Sequence, residues 1–327
     1  MPPWLAALIA SFIGTGAVRA YALRASLLDL PDDDRRNHRV PTPRGGGIAI
    51  CAVIVAALGT LAWLDSGQRI GWAAWALAVG LTGAVGAWDD HHPLSVRLRL
   101  ATHLMAAGFG AVGVLAMGGP AWIAVMSLLA IPLLLNFWNF MDGIDGIAAS
   151  QAAIVAVAAA CLLDAEWRLF AQVGAAAAFG FLVWNFPRAR IFMGDAGSGT
   201  LGVLVACLWV GCALQSQQAA FVLLFPMAAC LVDAGLTLSL RFAEGEAWWR
   251  PHSRHSYQLA TRRAGRHWPV TLAYAAWSIL GAVIGTRLVE FDNIFIMSWL
   301  AAWYTATVIG WIWLRRGSGT DPTRSTA

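Results

Sequence analysis

The chain has 327 residues, of which 59% are hydrophobic and only 12% charged, with a mean hydropathy of +0.63. A soluble domain carries roughly a quarter charged residues, so this composition excludes an ordinary water-soluble fold and makes lipid the solvent. The formal charge of +4 is small; it bears on orientation in a membrane and does not point to nucleic acid.

A bilayer crossing needs about 20 apolar residues, and hydropathy predicts about eleven crossings. In chain order they fall at 4–23, 46–64, 71–88, 101–118, 121–138, 147–163, 169–186, 198–214, 219–240, 270–288 and 294–314. The first has no small-residue cleavage site and reads as a retained helix, not a signal peptide. Connections such as Gly118–Pro120 and Gln215–Gln218 are short, which makes their neighbours antiparallel. No repeat or low-complexity linker interrupts the pattern. The expected fold class is an all-α polytopic membrane protein, with one catalytic domain over 1–314 and a short tail over 315–327. Cys51, Cys161, Cys207, Cys212 and Cys230 all lie in apolar runs without metal spacing and read as small buried hydrophobes.

All 22 basic residues are arginine, which reads as biased genome composition. Nineteen of the 22 lie in or at the border of the loops after spans 1, 3, 5, 7, 9 and 11, from Arg19 to Arg324. Only Arg69, Arg168 and Arg287 lie on the other side. The positive-inside rule makes the first face cytoplasmic, with the N-terminus outside and the C-terminus inside.

The polar clusters obey the same parity. A polar stretch runs from Asp32 to Gly47; Asp89-Asp90 follow the third span, and Asn136, Asn139, Asp142 and Asp145 lie at or just beyond the end of the fifth. Asp195 opens the eighth span, and His252, Arg254 and His255 lie in the longest loop. Ionisable groups at membrane helices are costly and tend to be functional. Solubility features would scatter over both faces; five clusters on one face describe a site.

The types of residue then speak to chemistry. The four polar side chains from Asn136 to Asp145 recur every third residue, a stripe drifting by roughly 60° per step if helical. Asn and Asp oxygens are hard donors suited to Mg²⁺, which keeps waters and takes few protein ligands. In Phe192-Met-Gly-Asp195-Ala-Gly-Ser-Gly, a carboxylate beside glycine-rich backbone at a helix start can hold a metal while N–H groups face phosphate. Adjacent Asp89 and Asp90 would repel without a cation. His252, Arg254 and His255 suit phosphate or sugar hydroxyls. Asp233, deep in the ninth span, reads as a structural partner for a nearby polar group.

Taken in order, Pro41-Thr-Pro-Arg44-Gly-Gly-Gly, Trp88-Asp-Asp, the Asn136 to Gly146 segment, Phe192-Met-Gly-Asp195-Ala-Gly-Ser and the His252/His255 loop resemble one family. It is the polyprenyl-phosphate N-acetylhexosamine-1-phosphate transferases, glycosyltransferase family 4, with MraY-type and WecA-type members. The loop Pro251-His-Ser-Arg-His-Ser-Tyr-Gln departs from three consecutive histidines and from His-x-His-His, and is similar to the WbpL-like branch that starts O-antigen and related surface glycans. The resemblance implies transfer of a sugar 1-phosphate from a UDP-N-acetylhexosamine to polyprenyl (undecaprenyl) phosphate in a bacterial inner membrane, releasing UMP. Lipid I synthesis of the MraY type is the alternative. It implies Mg²⁺, with Mn²⁺ able to substitute, held by Asn139 and Asp195. Phe192 would stack on uracil, Gly143 and Asp145 would line the uridine pocket, and Asn136 and Arg44 would join the nucleotide-binding set. Asp89 and Asp90 would be the essential acidic pair near the lipid phosphate, counted as catalytic with Asp142 and Asp145. His252, Arg254 and His255 would contact pyrophosphate or sugar, and Arg97 the lipid phosphate; Arg39 is a weaker candidate. The family also suggests homodimers.

Two other classes fit worse. A secondary transporter expects broken helices and midplane charges in repeated halves. A CDP-alcohol phosphotransferase expects further spaced aspartates after Asp142-Gly-Ile-Asp-Gly, which are absent.

Overall fold

The computed structural model describes residues 1–29, 41–246 and 252–316. Arg39, most of the polar stretch that begins at Asp32, and residues 317–327 of the expected tail lie outside the described residues. Arg315 and Arg316, at the start of that tail, are the last residues of the final helix.

The chain runs α1 (Pro3–Arg24), a two-stranded antiparallel ribbon of β1 (Leu28–Asp29) and β2 (Thr42–Pro43), then α2 (Gly47–Leu64), α3 (Arg69–His91), α4 (Val96–Ala116) and α5 (Ala121–Met141). It continues through α6 (Ile147–Leu162), α7 (Ala165–Asn185), α8 (Asp195–Gln215), α9 (Gln217–Ala243), α10 (Ser256–Ala264), α11 (Trp268–Leu288) and α12 (Asn293–Arg316). Ten of these are long and apolar enough to cross a membrane, and α6 is apolar but only 16 residues long. Together they coincide with the eleven predicted spans. The nine-residue α10, inside the histidine-bearing loop, is an addition.

Lipid tails are as apolar as leucine, so helices here associate through close packing and hydrogen bonds, and small residues set how near they come. The hub is α8, which touches α2, α3, α5, α6, α7 and α9. Its apolar stretch is 89% buried, against 22% for α1 and α12. Outer faces present large apolar side chains such as Ile13, Ile70, Leu129 and Ile294, as a lipid-facing surface requires.

One close crossing positions the site. A Cβ on Gly86 would stand 2.6 Å from the Ala196 nitrogen, so α3 meets the start of α8 this closely only with glycine there. That crossing carries Asp90, in the last turn of α3, to the first N–H groups of α8. The loop before α2 braces the other side: the Phe192 N–H donates to the Pro43 carbonyl (2.7 Å), and the N–H groups of Gly46 and Gly47 donate to the carbonyls of Phe192 and Met193 (2.9 Å each).

Candidate active site

The first N–H groups of a helix have no intrahelical partner and carry partial positive charge. At α8 they are answered by a carboxylate from another helix. Asp90 Oδ1 accepts from the Asp195 N–H at 2.9 Å and Oδ2 from the Ala196 N–H at 3.5 Å. Gly194, just before α8, has φ +77°, and a Cβ there would lie 2.3 Å from Asp90 Oδ2. Glycine is therefore required on both conformational and steric grounds.

Around Asp195 the polar groups converge. Arg44 bridges two carboxylates, with Nε 2.9 Å from Asp90 Oδ1 and Nη2 3.0 Å from Asp195 Oδ1. The Asn139 amide donates to Asp195 Oδ1 (3.3 Å) and to Ser198 Oγ (3.1 Å). The Asp89 carboxyl lies within hydrogen-bonding reach of that of Asp195. Asp89 also accepts from the Leu94 N–H at 2.6 Å and pairs with Arg99 Nε at 3.3 Å.

The stripe expected from Asn136 to Asp145 is not a helix face throughout. α5 stops at Met141, Asp142 is its C-cap, and Asp145 sits in the following turn. Burial, reinforced first by the Asp195 charge, pushes the Asp142 carboxyl well above the usual carboxylate range. Asp145 joins three loops. Its Oδ1 lies 3.0 Å from His267 Nδ1, its Oδ2 accepts from the Ala189 N–H at 3.1 Å, and its carbonyl accepts from Thr271 Oγ1 at 2.7 Å.

A cavity of about 290 Å³ collects Arg44, Asn139, Asp142, Gly143, Asp145, Phe192 and Asp195 of the predicted set, with Asp89 and Asp90 contacting Asp195 from behind. Four further polar side chains line it that sequence reasoning did not place there: Asp29, Asn185, Gln258 and His267. Asn185 carries a signal only in hindsight, since its amide accepts from the Gly146 N–H (2.7 Å) and donates to the Ile191 carbonyl (2.9 Å).

Other predicted residues lie elsewhere. Asn136 donates to the Pro132 carbonyl at 2.7 Å and lies 3.3 Å from His103 Nδ1, turned toward α4. Arg97 is exposed, and Arg99 takes the place beside Asp89. His255 is buried against Asp233 and stacked between His252 and Tyr257. Arg254 pairs with Glu244 at 2.7 Å and with Glu246. His252 is lowered to about 4 by burial and then by the charges of His255, Arg241 and Arg254, so it is neutral at pH 7. Asp233 has the structural role foreseen for it: it accepts from the N–H groups of Ser256 and Tyr257, which start α10.

The donor set fits a hard divalent cation. The Asp89 and Asp195 carboxyl groups are like charges close enough to repel, which a cation between them would relieve, and Asn139 offers an amide oxygen. Mg²⁺ takes few protein ligands and completes its shell with water and phosphate; among the described residues no three His, Cys, Asp or Glu side chains are grouped to hold a metal.

Residues 72–213 match the model of a family described as glycosyl transferase family 4. Over 318 residues the chain is 28% identical to the decaprenyl-phosphate N-acetylglucosaminephosphotransferase of Mycobacterium tuberculosis, covering 84% of this chain and 78% of that one. The protein of the same name from Mycolicibacterium smegmatis is 28% identical over 333 residues, covering 88% and 82%. A phospho-N-acetylmuramoyl-pentapeptide-transferase of Lactiplantibacillus plantarum is 30% identical over 241 residues, covering 63% and 74%.

Proposed function

The chain belongs to glycosyl transferase family 4, and on that premise we propose that it transfers an N-acetylhexosamine 1-phosphate from a UDP-sugar to polyprenyl phosphate. The observation that carries the reading is the gathering of Arg44, Asn139 and Asp195 in one cavity at the ends of apolar helices, beside the aromatic Phe192. Relatives that cover most of the chain are named for N-acetylglucosamine phosphate transfer to a polyprenyl phosphate, which supports the substrate classes. The arginine distribution supports a cytoplasmic site and an outside N-terminus, and the bacterial relatives support a bacterial inner membrane. The departure of the histidine loop from the peptidoglycan pattern favours initiation of a surface glycan.

In this reaction a lipid phosphate oxygen forms a bond to the sugar-linked phosphorus, and the bond from that phosphorus to the bridging oxygen breaks, so UMP leaves with the electron pair. A phosphate monoester has a second pKa near 6, so the nucleophile is largely dianionic at neutral pH and needs no strong base. The obstacle is bringing two anions together. Mg²⁺ held by Asn139 and Asp195, or Mn²⁺ in its stead, would neutralise charge on the diphosphate when bound. Arg44 holds Asp90 and Asp195 in register and offers a cation to the phosphates. Asp90 accepts two backbone N–H groups and Arg44, and Asp89 one N–H and Arg99. Carboxylates so occupied favour direct displacement over attack by an aspartate.

The deciding assay is UMP release by purified full-length protein given polyprenyl phosphate and a panel of UDP-sugars. Release with one or more UDP-N-acetylhexosamines is expected; none with any of them removes the reading. The same assay tests His267, which orients Asp145 in the nucleotide wall. His267→Ala is expected to raise KM for the donor about ten-fold, the worth of one hydrogen bond of roughly 1.4 kcal/mol, with little change in kcat. An unaltered KM would deny it that role.

A further inference from the structure

A second and larger concavity, about 930 Å³, opens beside the acidic cavity, and the two share Asp145, Phe192 and His267 in their walls. Its charge is opposite. Arg19 of α1, Arg188 and Arg190 of the α7–α8 loop, Arg262 of α10 and Arg266 of the turn before α11 line it. Among the described residues Asp145 is the one acid in its lining, and both its oxygens are engaged by His267 and the Ala189 N–H.

Three of the five arginines have partners within the protein. Arg19 Nε donates to the Arg190 carbonyl at 3.0 Å, both guanidinium groups lie over the Trp184 ring, and Arg262 donates to Ser253. Arg188 and Arg266, from two different loops, make no hydrogen bond or ion pair with any described residue. Positive-inside bias alone would spread such residues over the cytoplasmic surface. Here they line a concavity that ends at the catalytic groups.

The acidic cavity poses a problem for an anionic donor. Asp29, Asp142, Asp145 and Asp195 line it against Arg44 and His267, so a nucleotide diphosphate approaching it directly meets repulsion. A low-dielectric cleft of one sign raises the local concentration of opposite charge and speeds association by 10- to 1,000-fold, an effect that salt screens. We propose that Arg188 and Arg266 form a donor-loading subsite, which captures the phosphates of the nucleotide sugar and delivers them past Phe192 to the acidic cavity. This inference rests on the donor being a nucleotide diphosphate sugar, as argued above.

Loading acts on association and not on chemistry. In full-length protein in nanodiscs of zwitterionic lipid, the double variant Arg188→Ala/Arg266→Ala is expected to lower kcat/KM for the UDP-sugar at least ten-fold at low salt, with kcat at saturation retained. Its log(kcat/KM) against log(salt) should be flatter than that of the parent. Arg188→Lys/Arg266→Lys should keep most of the steering, and Arg263→Ala, an arginine of α10 that does not line the cleft, should keep all of it. An unchanged salt slope, or a fall in kcat at constant KM, overturns the proposal. An anionic phospholipid headgroup offers the same phosphate chemistry. If the double variant differs from the parent only in nanodiscs that contain anionic lipid, the cleft binds headgroups and loading is overturned. Parent protein that releases no UMP from any UDP-sugar strikes the functional reading itself, a result distinct from parent and double variant behaving alike.

Discussion

Asp195→Ala is expected to lower UMP release by about 1,000-fold or more, the scale reached when a single preorganised electrostatic group is deleted, while leaving the fold in place. The two halves of that statement have separate structural causes. The side chain of Asp195 is where Arg44, Asn139 and Asp89 converge, so its removal takes away a hard oxygen ligand and frees Arg44 to close on Asp90 alone. The start of α8 does not depend on that side chain. Its first N–H groups are held by Asp90, and the helix is packed on six neighbours. A thermal midpoint close to that of the parent, together with loss of Mg²⁺-dependent turnover, is the expected pair of results. Asp195→Asn separates charge from shape: it keeps the volume and one oxygen but not the anion, and should recover little activity. Manganese binding followed by its electron spin resonance gives a readout apart from turnover, and should weaken in both variants. Full activity in Asp195→Ala would sink the metal assignment.

What the sequence made legible divides by the range of the interaction. The apolar spans were readable because each is a local property of about 20 residues, and the predicted boundaries fall within a few residues of the helices. That Arg99 pairs with Asp89 was not legible, because the pairing depends on helical phase. Ser95 caps α4 through the Leu98 N–H at 3.3 Å, and with that start Arg99 faces Asp89 while Arg97 points outward. His267 and Asp145 are 122 residues apart, a pairing that no local pattern announces. The histidine loop is a related case: Arg254 pairs with Glu244 and Glu246, and His255 lies against Asp233, contacts that the composition of the loop does not announce. Arg44, from a glycine-rich loop, joins two carboxylates from different helices.

Asp233 offers the converse of Asp195. It is buried in α9, and its carboxylate accepts from the N–H groups of Ser256 (2.8 Å) and Tyr257 (3.0 Å), from Tyr274 Oη (2.7 Å) and from Thr237 Oγ1 (3.3 Å). Asp233→Ala leaves the first N–H groups of α10 and a tyrosine hydroxyl without partners in the protein interior. At roughly 1–3 kcal/mol for each stranded group, a loss of about 3–5 kcal/mol is expected, the range typical when one side of a buried charged contact is deleted. Hydrogen exchange in α10 should accelerate before exchange in α8, and the thermal midpoint should fall by several degrees. Asp233→Asn keeps one accepting oxygen and should lie between. Activity would decline as a consequence, because Tyr257 Oη donates to the Phe140 carbonyl at 2.8 Å and Gln258 lines the cavity; α10 thus steadies the end of α5 from which Asp142 projects. A reagent that restores folding, such as a bound UDP-sugar stabilising by mass action, should therefore rescue Asp233→Ala and leave Asp195→Ala inactive. Asp233→Ala with unchanged stability and unchanged exchange in α10 would show that the buried carboxylate does not hold that helix.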